Sequence, residues 1–138
     1  MHGWSVWSGD VTRGDGSGGV SAYGASLPVE SWGVKHRRGT LSMVLDEDGR
    51  LRSQFFFTLV TTPALDRKAA AIGRVLDGID VLDRISRLPT REGQEGRPKQ
   101  EVRILRCGIV EEPAAQRGEQ GAGQGAGRGG AVATGTKS

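Results

Sequence analysis

Three consecutive phenylalanines do most to constrain what this chain can fold into. In the run Ser53-Gln54-Phe55-Phe56-Phe57-Thr58-Leu59, extended geometry alternates side chains between two faces, with Gln54, Phe56 and Thr58 on one and Phe55, Phe57 and Leu59 on the other. Neither face is wholly polar. A strand with apolar residues on both faces is covered on both, which predicts a central strand over residues 53 to 60. Thr61-Thr62-Pro63 ends it, because proline has no N–H to give to a ladder.

The flanking segments supply partners for such a strand. Apolar and small residues alternate and then merge in Gly39-Thr40-Leu41-Ser42-Met43-Val44-Leu45, a second predicted strand ending at the acidic turn Asp46-Glu47-Asp48-Gly49. The alanines of Ala69-Ala70-Ala71-Ile72-Gly73-Arg74-Val75 alone would allow a helix. The shortness of the run and Gly73 favour a strand. From Gly78 to Leu88, Ile79, Leu82 and Ile85 recur at steps of three with Val81 and Leu88 alongside, which predicts a helix that Pro89 terminates. A polar loop from Thr90 to Lys99 leads to a last predicted strand at about 101 to 110. Residues 13 to 19 hold four glycines in seven positions, too great a backbone-entropy cost for regular structure, and read as a loop with short extended flanks. From Pro113 onward Gly, Ala and Gln dominate, and nothing there offsets the entropy of ordering.

These elements fit one mainly β domain over residues 1–112 followed by a disordered Gly/Ala-rich tail over 113–138. The net charge of +3 comes from 19 Lys and Arg against 16 Asp and Glu without a long basic block, which argues against a nucleic-acid partner. The single cysteine, Cys107, offers no intrachain disulfide, lies in an apolar segment that suggests packing, and fits the reducing cytoplasm. There is no secretory h-region and no apolar stretch near the roughly 20 residues needed to cross a bilayer, so no membrane partner is expected. Gly14, Gly16 and Gly19 have the letters of a dinucleotide loop but neither the preceding strand nor the following helix. Arg13-Gly14-Asp15 is an adhesion tripeptide by letter only. The acidic turn lacks the final glutamate of a calcium loop. His2 and His36 have no cysteine set for zinc, and no nucleophile elbow surrounds Ser42. No metal and no cofactor is expected.

Several blocks occur in an order that resembles the cyclophilin-type peptidyl-prolyl cis-trans isomerases. They are Ser8-Gly9-Asp10-Val11-Thr12-Arg13-Gly14-Asp15-Gly16-Ser17-Gly18-Gly19, Tyr23-Gly24, Lys35-His36, Gly39-Thr40-Leu41-Ser42-Met43, Ser53-Gln54-Phe55-Phe56-Phe57-Thr58, Leu65-Asp66 and Ile72-Gly73-Arg74-Val75. The resemblance runs from about Gly3 to Val110. It implies an eight-stranded antiparallel barrel closed by two helices, with a peptide groove on its outer surface. By that comparison the family's opening strands, first helix and catalytic-arginine segment have no counterpart before Met1. The expected fold is therefore an incomplete cyclophilin-like antiparallel β-barrel with one recognisable α-helix, marginal on its own because a barrel closes only through its first strands. A truncated gene model upstream of Met1 is the alternative explanation.

Carried over position by position, the resemblance implies a proline-peptide site. Phe56 matches the aromatic floor, Leu65 the aliphatic wall and Gln54 the glutamine bordering the groove. Trp4 stands where the family has a pocket phenylalanine, Ser5 where it has methionine, and Trp7 where a glutamine hydrogen-bonds the peptide. Val44 and Leu45 replace alanine and asparagine, Ala64 a tryptophan and Ala69 a groove histidine. The implied binding set is Phe56, Gln54, Leu65, Trp4, Val44 and Leu45, with no catalytic residue. Rotation about an imide crosses a barrier of about 18–20 kcal/mol. Losing one preorganised donor typically costs on the order of 10²–10³ in rate. Arg52 and Arg74 read as surface charge. The expected function is peptidyl-prolyl isomerisation, weak or absent in this chain, on proline-containing peptides or proteins. The alternative is a non-catalytic proline-peptide-binding or structural subunit with an assembly partner chain. The tract from Leu88 to Cys107 resembles a cilium-associated branch of the family.

Overall fold

The computed structural model describes residues 3–93 and 96–110. Its regular elements are β1 (Ser5–Ser8), β2 (Thr40–Leu45), β3 (Leu51–Thr58), a 3-10 turn (Pro63–Leu65), β4 (Ala70–Arg74) and α1 (Ile79–Ser86). The four strands form one antiparallel sheet in the order β1-β3-β2-β4. The phenylalanine strand is thus paired along both edges, the central position expected of it, while of its two faces the one with Phe56 and Thr58 is buried and the one with Phe55 and Phe57 is half-buried. Its ladder begins at Leu51, two residues earlier than the pattern indicated, and Leu59 N–H still donates to Trp4 O at 2.8 Å beyond its assigned end.

The β2–β3 connection is held by the acidic turn. Asp46 accepts the N–H groups of Asp48 and Arg50 at 3.1 and 2.8 Å, Arg52 Nε donates to its second oxygen at 3.0 Å, and Gly49 takes the left-handed conformation the reversal needs. The glycine in Ala70–Arg74 does not interrupt β4, and strand pairing overrides the helical propensity of its alanines. Helix α1 starts after Gly78, whose φ of 76° lies in the left-handed region, and packs against β1. Arg38 ties this helix to the sheet, donating to Leu59 O at 2.7 Å and to Asp83 Oδ2 at 2.6 Å.

The core is small and partly polar. Phe56, Leu59, Ala69 and Ala70 are buried together with Thr40, Ser42, Thr58 and His36. Thr58 Oγ1 accepts Thr40 N–H at 3.0 Å and donates to Arg37 O, so a buried hydroxyl fixes the chain entering β2.

β1 had no signal of its own, since Ser5-Val6-Trp7-Ser8 is short and carries only two apolar residues; it exists because β3 offers it a ladder. One expectation is corrected: residues 101–110 form no strand and are exposed throughout, Cys107 included. An apolar alternating pattern becomes a strand only where a partner satisfies its backbone, and no described segment pairs with this one. The chain falls into two units, Met1–Arg103 and Ile104–Ser138. The expected tail over 113–138 lies outside the described residues. Among the described residues no helix is long and apolar enough to cross a membrane.

Candidate functional site

Phe56 is the centre of an aromatic cluster. The β1–β3 register sets Trp7 directly opposite it and Ser5 opposite Thr58, while β2 sets Ser42 opposite it from the other side. Directly opposed side chains share a sheet face. The Trp7 indole stacks on the Phe56 ring at 4.9 Å between centroids and 18° between planes. Trp4 meets the same ring edge-on at 6.0 Å and 71°, and His36 lies near-parallel at 6.4 Å and 11°. Such pairs contribute about 0.5–1.5 kcal/mol each beyond area burial. Phe56 is consequently only 2% exposed, whereas Trp4 and Trp7 remain 42% and 51% exposed. Phe56 and Trp4, both in the expected binding set, meet, and Trp7 meets them as well.

Gln54 follows the same face two residues earlier, yet its amide is engaged elsewhere. Its Nε2 donates to Gly16 O at 2.9 Å and to Gly18 O at 2.6 Å, fastening the glycine loop to β3. Ser53 helps by accepting Val20 N–H at 3.1 Å. The loop is organised from within by Asp10, whose carboxylate accepts the N–H groups of Thr12, Arg13, Asp15, Gly16 and Gly18 at 2.9–3.2 Å. These donors, Arg13 N–H foremost, hold the carboxyl well below the usual carboxylate range. Gly9 lets the loop leave β1 against β3, since a Cβ there would collide with Ser53 O. Asp10 was missed in the sequence, where one acidic residue beside a glycine loop carries no distinguishing signal.

Leu65 is half-buried in the 3-10 turn, and the next residue ties that turn to the cluster. Asp66 Oδ1 accepts His36 N–H at 2.9 Å and lies 3.0 Å from His36 Nδ1, and Lys35 Nζ is 3.3 Å from Oδ2. The His36 contacts, its backbone N–H first, lower the Asp66 carboxyl from 3.8 to about 2. His36 Nε2 and Ser42 Oγ are buried without a hydrogen-bond partner among the described residues. Val44 and Leu45 lie at the turn end of β2, with Leu45 opposite Leu51 and a bulge after Met43. Ser42, not these two, is the β2 residue opposite Phe56.

Arg52 is engaged by Asp46. Arg74 lines a groove of about 500 Å³ with Val34, Lys35, Arg37, Arg38, Thr40, Ile72 and Gly73, none of them an expected site residue. Among the described residues no His, Cys, Asp and Glu group could hold a metal ion. The side chains gathered at Phe56, two indoles and an imidazole, offer apolar and aromatic contact.

The family model described as cyclophilin type peptidyl-prolyl cis-trans isomerase/CLD matches residues 2–109. Peptidyl-prolyl cis-trans isomerase H of Mycosarcoma maydis is 40% identical over 101 residues, which cover 72% of this chain and 64% of that protein. The chain thus spans less than two thirds of the length of that curated relative.

Proposed function

We propose that this chain, which belongs to the cyclophilin-type peptidyl-prolyl cis-trans isomerase family, engages Xaa-Pro segments of other proteins at the Phe56 cluster and isomerises them slowly. The observation that carries this reading is the cluster's composition: Phe56 is surrounded by Trp4, Trp7 and His36, with Leu65 held nearby through Asp66, while Arg52 is held by Asp46. Apolar rings take a prolyl ring out of water. Without a donor at the imide nitrogen, the transition state gains little over the ground state, and only such a difference accelerates the step.

The test is NMR exchange spectroscopy on a short Xaa-Pro peptide with the full chain. Shift changes at Trp4 and Trp7 with little acceleration of cis–trans exchange are expected, and turnover near that of a complete family member would refute slow catalysis.

A second reading is a non-catalytic proline-peptide-binding or structural subunit of a larger assembly. It is supported by β1 and β4, the two edge strands among the described residues, and by exposed Ile72 on β4, because unpaired edges take up further strands. Size-exclusion chromatography with light scattering checks it, with assembly expected and a clean monomer in cell extract as the contrary result. The proposed place of action is the cytoplasm, in keeping with the lone cysteine; the narrower placement at the cilium rests on the Leu88–Cys107 resemblance, and imaging of the tagged chain distinguishes the two.

A further inference from the structure

We propose that Trp7 is the chain's own occupant of its prolyl site, an indole laid over Phe56 that decides whether a ligand ring can reach it. The inference rests on the proline-binding reading above and adds the residue that restricts it. Of the two indoles at Phe56, only Trp7 lies face-on, at 4.9 Å and 18°; Trp4 approaches by its edge. A ring at that separation is in van der Waals contact, so nothing else fits between them, and a prolyl ring stacking on the same face would need the same volume. The exposures agree: Phe56 is 2% accessible beneath an indole that is itself 51% accessible.

The indole is also held in place. Trp7 Nε1 donates to Ser5 Oγ at 2.6 Å, and the Trp4 ring abuts Trp7 at 6.2 Å and 89°. Ser5 and Trp7 are two residues apart on one strand and so share a face. Both depart from the pattern the chain resembles, which has methionine and glutamine at these places, and together they make a donor and an acceptor that hold the cover down. The cover is built on β1, a four-residue edge strand whose one ladder partner among the described residues is β3. Short edge segments sit at the low-stability end of a fold, so displacement of Trp7 requires local rearrangement and not unfolding of the sheet.

The test compares the full chain with Trp7→Ala and Ser5→Ala, using two probes read by NMR at the Phe56 ring: an acetylated Ala-Pro amide, and benzene as a proline-free apolar probe. Trp7→Ala should admit benzene that the unaltered chain excludes and bind the prolyl amide about tenfold more tightly, the size of one good aromatic contact no longer displaced. Ser5→Ala should shift both in the same direction by less. Benzene entry without prolyl binding upholds Trp7 as the cover and overturns the proline-binding reading alone. Equal access of benzene to Phe56 in all three proteins, or none in either variant, overturns the proposal. If Trp7→Ala does not fold, Ser5→Ala decides, because it keeps the indole and removes only its hydrogen bond: unchanged benzene access in that variant overturns the proposal.

Discussion

Phe56 and Gln54 lie two residues apart on one face of β3, yet they anchor regions built on opposite physics. Around Phe56 the contacts are rings: Trp7 face-on, Trp4 edge-on and His36 near-parallel. Around Gln54 they are hydrogen bonds, two to the carbonyls of Gly16 and Gly18 and, further into the loop, five backbone N–H groups around Asp10. The ring cluster removes apolar surface from water and supports the whole sheet. The glycine loop buries little and keeps its shape through hydrogen bonds, chiefly to the Asp10 carboxylate and the Gln54 amide. A strand face expected to line a peptide groove is thus occupied by the chain's own side chains and loop at both positions.

The comparison breaks most visibly at Phe56. Phe56→Ala should cost about 3–5 kcal/mol of stability, measured by urea unfolding, with the β1, β2 and β3 amides losing protection together. A cost below about 1 kcal/mol would mean that Trp4, Trp7 and His36 pack as well without the ring. Gln54→Ala should cost about 1 kcal/mol, the net worth of ordinary hydrogen bonds. Its signature is local: faster hydrogen exchange across residues 16 to 20 with Phe55 to Leu59 unchanged. Equal loss in both places would merge the two regions into one.

A smaller effect sharpens the boundary of the ring cluster. Because the Asp66 carboxyl is depressed from 3.8 to about 2, the unfolded chain binds that proton first as pH falls. The stabilisation is whole above 3.8 and is lost as pH drops through about 2. Asp66→Asn should therefore flatten the stability–pH curve in that window, and at pH 7 it should loosen the Lys35-His36 segment and the Pro63–Leu65 turn. An unchanged acid slope would place the linkage on other carboxylates, Asp10 being the next candidate.

How much was legible in the sequence follows from where each signal resides. β2, β3 and α1 announce themselves because alternation or steps of three are properties of the segment itself, whereas β4 was read only from the shortness of its run and from Gly73. All three phenylalanines of the chain sit in one run, and that alone places β3 centrally. β1 was not legible, since its strand character comes from the partner; nor was the absence of a strand at 101–110, since periodicity says nothing about whether a partner is present. At the site, Phe56 and Trp4 come together. The commitment of Gln54 to two loop carbonyls depends on a contact 36 to 38 residues away in sequence, and the Trp7 stack depends on register, which a one-residue slip would abolish. The polar hub at Asp10 left no trace beyond a single acidic letter.

Phe56 is covered by the chain's own side chains. Nuclear Overhauser contacts between the Trp7 indole and the Phe56 ring, recorded on the unliganded full chain in solution, test it most directly. Strong contacts from the Trp7 ring protons and weaker ones from Trp4 are expected, declining as a prolyl peptide is added. A Phe56 ring with no contacts to Trp7, and with free access to solvent, would contradict it.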